Sequence, residues 1–240
     1  MRILFTIQYL GTRYAGWQWQ ANGLSVQQVV ESALAKVFGE ELRVHGAGRT
    51  DAGVHAEEQR AHADVPFEIP PRGLLLGLNA HLPPDVRVTR VETVPPDFHA
   101  RFSAKSKTYQ YRIWNGDVAD VFAAETHVHI GRPLDDRTMH QAAQRLVGAH
   151  DFAVFTVADP EVSSTVRTIE SIAVARDGHA IGITVSADGF LRFMVRRVAG
   201  SLIEIGHGKL DPVALFAEAR WTAPAKGLVL REIRYESAAS

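Results

Sequence analysis

Gly46-Ala47-Gly48-Arg49-Thr50-Asp51-Ala52-Gly53-Val54-His55-Ala56 is the stretch on which the interpretation of the whole chain depends. Its three glycines permit a tight loop that approaches other backbone closely. The loop carries a carboxylate, Asp51, and a guanidinium, Arg49, which an extended backbone directs to the same side. Loops commonly present reactive groups, but this pattern is also typical of a glycine-rich turn with a surface ion pair.

The composition around this loop is that of a globular protein and not of a basic nucleic-acid-binding domain. Of the 240 residues, 46% are hydrophobic and 22% are charged, and the formal net charge is −1. Phosphate binding would therefore require a locally basic face. The absence of cysteine excludes disulfides, thiolate metal sites and cysteine nucleophiles. We expect a cytoplasmic protein, because no segment resembles a signal peptide or a membrane span.

Upstream and downstream of the loop, the first half of the chain predicts the order strand, helix, strand, strand, helix, strand. The first helix has the clearest signal, because Ser25 and Gln28 form a capping box and Gly39 supplies a stop. Pro95, Pro96 and Asp97 indicate a linker. The predicted ranges are 2–10, 25–38, 42–45, within 54–65, 72–81 and 85–94.

The second half predicts the same order. Asp177-Gly178 is a hairpin signal between its two longest strands. The ranges are strand 106–114, a helix from 134 that stops at Gly148, strands 166–175 and 179–187, helix 191–205 and strand 228–235. We therefore predict an α+β fold of two similar βαββαβ-like halves, residues 1–102 and 103–240. They would form a continuous, mainly antiparallel sheet with helices on one face and a cleft between the halves.

Several residues outside the loop could carry chemistry or simply pack. Tyr109 and Tyr111 share one strand face and could stack on a ligand, although strand tyrosines usually belong to the core. Arg196 lies beside the apolar stripe of the last helix, and a solvated arginine face is the alternative. The loop 13–20 contains two tryptophans that could pack against a neighbour or contact bases.

Three motifs of this chain resemble those of the tRNA pseudouridine synthase A family. Residues 48–56, Gly-Arg-Thr-Asp-Ala-Gly-Val-His-Ala, resemble its catalytic motif; Lys105–Ile113 resembles its second motif, and Phe190–Arg197 its third. The similarity extends over nearly the whole chain. The chain departs from the family at Leu10, where an aspartate is common, and at Phe193, where a polar residue is common.

The resemblance implies an enzyme that isomerises uridine to pseudouridine at positions 38, 39 and 40 of the tRNA anticodon stem-loop, without cofactor or metal. It implies that Asp51 is catalytic and acts on a flipped-out uridine. It further implies that Tyr109 stacks on the target uracil, that Arg196 pairs with the aspartate and that Arg49 helps to eject the base. The expected partners are tRNA, bound in the cleft, and a second copy of the chain in a homodimer, with no membrane.

Two other functions remain open at this stage. A non-catalytic tRNA-binding or RNA-folding protein could use the same scaffold, although the presence of Asp51 argues against it. A metal-dependent hydrolase could use His127 and His129, but His-x-His needs a third ligand and an open coordination position.

Overall fold

The computed structural model describes residues 1–157 and 162–236. The chain divides into two compact units. Unit 1 contains Met1–Lys105 together with the last strand from Leu230 onward, and unit 2 is Ser106–Val229. The predicted halves are 1–102 and 103–240. The observed division differs mainly in the last strand, which belongs to unit 1 and is hydrogen-bonded to the strand 55–64.

Unit 1 is a sheet covered by two helices. Its strand order is β4-β1-β3-β10, with β2 attached to β3, and β1 is antiparallel to both β3 and β4. Helix α1 packs on α2, and α2 packs on β4, so both helices lie on one side. The elements are β1 (Arg2–Tyr9), α1 (Val26–Phe38), β2 (His45–Gly46), β3 (His55–Asp64), α2 (Pro71–His81), β4 (Val86–Val94) and β10 (Leu228–Tyr235).

Local signals explain the clearest element of unit 1. The Ser25 side chain accepts a hydrogen bond from the backbone N–H of Gln28, and the Gln28 side chain accepts one from the backbone N–H of Ser25. The predicted capping box is therefore confirmed. Gly39 ends α1 with φ +80°, a conformation that glycine adopts without steric strain.

The last strand is tied to unit 1 by side chains at its outer end. Arg231 forms an ion pair with Glu57 of β3 at 2.6 Å. The Tyr235 hydroxyl donates to the carbonyl of Ala100 at 2.8 Å, and its ring lies 5.0 Å from that of Phe98. These long-range contacts have no signature in the local sequence.

In unit 2, strands and helices again pack together. Its strand order is β5-β9-β8-β7, with antiparallel neighbours, and β6 runs parallel to β5. Helix α3 packs on β8 and on α4. The elements are β5 (Ala104–Trp114), β6 (Val128–His129), α3 (Asp136–Gln144), β7 (Gly148–Asp151), β8 (Val166–Asp177), β9 (Ala180–Ala187) and α4 (Met194–Gly206). The predicted α+β class with a mainly antiparallel sheet is confirmed.

Three predicted boundaries are wrong. Helix α3 ends at Gln144 and not at Gly148, which has φ +101° and begins β7. Helix α4 begins at Met194 and not at residue 191, because Phe193 is left-handed. Strand β2 is the pair His45–Gly46, not residues 42–45. Within the described ranges, no helix is both long enough and apolar enough to cross a membrane.

Candidate active site

The backbone of the Asp51 loop is held by buried polar groups of unit 1. The Tyr9 and Thr50 hydroxyls are hydrogen-bonded at 2.8 Å, and the backbone N–H of Trp17 donates to the Thr50 carbonyl at 3.0 Å. The Gln59 side chain donates to the carbonyl of Gly48 at 2.9 Å. Burial raises the pKa of Tyr9 to about 12, so its hydroxyl keeps its proton at neutral pH.

The segment before α1 packs directly against this loop. A Cβ at Gly16 would lie 2.6 Å from the Thr50 carbonyl oxygen, and a Cβ at Gly11 would collide with the Val54 carbonyl. The backbone N–H of Gly11 donates to Nδ1 of the buried His55 at 2.9 Å. The loop therefore has a fixed backbone, with Thr50 buried, Asp51 half-buried and Arg49 exposed.

The two tryptophans of the loop 13–20 differ in environment. Trp17 is only 2% exposed and packs where Gly46 leaves room for its indole ring, so the packing interpretation is confirmed for this residue. Trp19 is 48% exposed. One stretch of sequence thus supplies both a core residue and a surface aromatic residue.

Unit 2 gives Tyr109 and Tyr111 different surroundings on the same face of β5. Tyr111 is fully buried, and its hydroxyl donates to the carbonyl of Pro224 at 2.9 Å. Burial raises its pKa strongly, although the nearby Arg196 guanidinium opposes the shift. Tyr109 is 7% exposed, and its ring meets that of Phe190 edge-on at 5.2 Å. Both tyrosines are buried, and the role of Tyr109 toward a ligand stays a prediction.

The first turn of α4 holds Arg196 in a defined orientation. Its Nε donates to the carbonyl of Ala223 at 2.8 Å, and its Cζ lies 5.2 Å from the centre of the Phe193 ring. The neighbouring Arg197 donates to the carbonyls of Val154 and Thr156. The alternative of a solvated arginine face is therefore wrong for Arg196 and Arg197.

The two histidines of the His-x-His motif, His127 and His129, have different hydrogen-bond partners. His127 contacts the Thr126 hydroxyl, whereas Nε2 of His129 contacts the carbonyl of Gly116. His45, His62 and His99 form a cluster of stacked and edge-on rings in unit 1. In residues 1–157 and 162–236, no group of three or more His, Asp or Glu side chains is placed to hold a metal. The hydrolase alternative lacks its third ligand there.

Sequence reasoning missed the groups that hold the Asp51 loop. Tyr9 and Gln59 are buried polar residues on the strands that flank the loop in space. The available signal was a glutamine, Gln59, on the predicted strand that follows the loop, and its position in β3 is buried. Such a residue needs an internal hydrogen-bond partner, which here is the loop backbone.

Comparison with known proteins gives consistent matches over almost the full length. The model of a family described as tRNA pseudouridine synthase matches residues 6–103 and 142–236. The tRNA pseudouridine synthase A of Myxococcus xanthus is 43% identical, with 98% of this chain and 92% of that protein covered. The protein of the same name from Rhodopseudomonas palustris is 44% identical, with coverages of 98% and 99%.

Another relative, the tRNA pseudouridine synthase A of Geobacter sulfurreducens, is 40% identical and covers 97% of this chain and 99% of its own length. Among solved structures, a chain of the archaeal box H/ACA sRNP Nop10-Cbf5 complex aligns with 96% of this chain and 47% of its own. That alignment has 11% identity and a TM-score of 0.38.

Proposed function

This chain belongs to the tRNA pseudouridine synthase family, and from that premise we propose that it isomerises uridine to pseudouridine at positions 38, 39 and 40 of the tRNA anticodon stem-loop. The enzyme class, a tRNA pseudouridine synthase, follows from family membership. The positions follow from the resemblance of the motifs alone. The observation that carries the proposal is the Asp51 loop, whose backbone is held by hydrogen bonds while Asp51 is half-buried.

The proposed reaction needs no co-reactant. The C1′–N1 bond of uridine breaks, the uracil turns, and a C1′–C5 bond forms. C5 loses its proton and N1 gains one, so atoms and electrons balance. Asp51 would attack C1′, act on the ribose to permit a glycal intermediate, or attack C6 of the ring. A carboxylate is competent as a nucleophile or as a base in each case.

The other proposed roles follow the chemistry of each side chain. The target uracil must leave its stack in the RNA, at a cost of a few kcal/mol. Tyr109 offsets part of this cost by stacking on the flipped base. Arg196 pairs with the catalytic carboxylate and holds it in a fixed orientation, because an arginine–carboxylate pair has a defined geometry. Arg49, exposed on the loop, takes the place of the ejected base, as the plane of its guanidinium permits.

The resemblance of the motifs implies a homodimer, which is part of the proposal. The formal net charge of −1 gives a single chain little general attraction to RNA. Two symmetric copies would present a wider basic surface, as long as the acidic residues lie elsewhere. We also propose the cytoplasm as the location, because the substrate is tRNA.

The substrate positions are tested with transcripts that carry uridine at only one of positions 38, 39 and 40. A matched transcript has cytidine at all three positions and keeps its other uridines. Carbodiimide labelling followed by primer extension locates pseudouridine in each. We expect modification at the remaining uridine of each single-site transcript and none in the cytidine control. Modification of the control to the same extent would contradict the proposed positions.

A further inference from the structure

Phe193 has a backbone conformation that phenylalanine rarely adopts. Its φ is +62° and its ψ is −2°, in the left-handed region. In residues 1–157 and 162–236, it is the only residue other than glycine with positive φ. Glycine, asparagine and aspartate tolerate this region, whereas a large side chain there is strained. Strained residues persist where the surrounding structure requires them, and they cluster at functional sites.

The strain is not explained by the start of helix α4. Phe193 is the N-cap residue, and its side chain makes no capping hydrogen bond. A serine, threonine, asparagine or aspartate would cap the first turn, and asparagine would also relieve the strain. Phe193 is thus unfavourable both as a left-handed residue and as a helix N-cap. We therefore expect its ring to make a contact that compensates for this cost.

The compensating contact is with two guanidinium groups. Cζ of Arg192 lies 5.0 Å from the centre of the Phe193 ring, and Cζ of Arg196 lies 5.2 Å from it. Both distances are within the range of cation–π attraction. Residues 193 and 196 are three positions apart at the start of a helix, a spacing that brings side chains together. The ring is half-buried, which strengthens the attraction relative to an exposed site.

We propose that Phe193 is a positioning residue that orients the Arg196 guanidinium for the reaction. The ring and the Ala223 carbonyl constrain the guanidinium from two directions. An arginine side chain has many rotamers, and fixing it beforehand removes that ordering cost from the reaction. This inference rests on the proposed function, because it assumes that Arg196 serves the catalytic carboxylate.

Variants at residue 193 distinguish the contribution of the aromatic ring from that of the volume of the side chain. Phe193→Leu keeps an apolar side chain of similar size without a π face, and Phe193→Tyr keeps the ring. Phe193→Asn relieves the backbone strain and removes the ring. We expect F193L and F193N to lower kcat about three- to tenfold with little change in KM, and F193Y to stay within about twofold of wild type. F193N should unfold at the same or a higher temperature than wild type, so its lower kcat cannot come from instability.

The double variant tests whether the effect passes through Arg196. In an Arg196→Ala background, Phe193→Leu should cause no further loss of kcat. Equal kcat for F193L and wild type, or an undiminished loss in the Arg196→Ala background, would overturn the positioning role alone. Wild-type protein that forms no pseudouridine in tRNA would instead refute the proposed function, and the positioning role with it.

Discussion

Residues with a left-handed backbone lie close to the Asp51 loop and at the start of helix α4, but the residue type differs between the two places. In unit 1 these residues are glycines: Gly16 has φ +99° and Gly53 has φ +77°. In unit 2 the left-handed residue is Phe193, whose large side chain makes this conformation strained. Glycine allows two backbones to approach closely, whereas phenylalanine supplies a ring. The comparison indicates that Asp51 is positioned through its backbone, and Arg196 through its side chain.

Adding one methyl group at Gly16 should disturb unit 1 most. In Gly16→Ala the Cβ would lie 2.6 Å from the Thr50 carbonyl oxygen, and alanine would also be strained at φ +99°. We expect a loss of about 2–4 kcal/mol in the free energy of unfolding and a marked loss of pseudouridine formation. Urea denaturation followed by circular dichroism measures the first, and a tRNA modification assay the second.

Gly39→Ala is the matched control for that variant. Gly39 is also left-handed, but a Cβ there would meet nothing within 4 Å. It should cost only about 1–2 kcal/mol and leave activity unchanged at a temperature where the protein is folded. Equal effects of the two substitutions would show that the contact of Gly16 with the loop is unimportant.

The two tyrosines of β5 should separate stability from activity. Tyr111→Phe removes the hydrogen bond to the Pro224 carbonyl and leaves that oxygen without its tyrosine donor, so it should cost about 1–2 kcal/mol of stability. Tyr109→Leu should lower kcat at a temperature where the protein is folded, because it removes the ring that is proposed to stack on the uracil, whereas Tyr111→Phe should leave kcat unchanged. Chemical denaturation and single-turnover kinetics on both variants check this, and the reverse pattern would exchange the roles of the two residues.

Acid should weaken unit 1 through His62. Burial, followed by the neighbouring His99 and His45, lowers the pKa of His62 from 6.5 to about 4. Its Nδ1 accepts a hydrogen bond from the backbone N–H of Ala100, which protonation of that nitrogen would break. Because the folded-state pKa lies below the unfolded-state value, this stability is complete above about pH 6.5 and is lost as the pH falls toward 4.

The size of the acid effect is measured by thermal unfolding between pH 7 and pH 5. Wild type should lose on the order of 1 kcal/mol more than His62→Gln over this range. His81→Gln, at an exposed histidine of α2, is the control and should follow wild type. Parallel curves for wild type and His62→Gln would contradict the assignment.

Local signals predicted the helices and the hairpin, because their causes are local. Ser25, Gln28 and Gly39 specify α1 within a few residues, and Asp177-Gly178 specifies the β8–β9 turn. The short strands β6 and β7 have no alternation long enough to detect. The place of the last strand depends on contacts such as that of Tyr235 with Ala100, far away in the sequence.

The candidate site could be predicted from its motifs but not from its packing. Asp51, Arg49, Tyr109 and Arg196 came from resemblance, and their roles stay predictions. The difference between Trp17 and Trp19, and the left-handed Phe193, arise from tertiary contacts that override local preference. The position of Phe193 was visible only as a departure from the family pattern.

The most direct test is the release of label from tRNA that carries tritium at C5 of uridine, with wild type and Asp51→Asn compared at equal concentration. No cofactor is added, and Glu68→Gln, at an exposed carboxylate of unit 1, is the control. We expect release by wild type and by the control, and a loss of about 10³-fold or more in Asp51→Asn with unchanged thermal unfolding. Release by Asp51→Asn at the wild-type rate would contradict catalysis by this carboxylate.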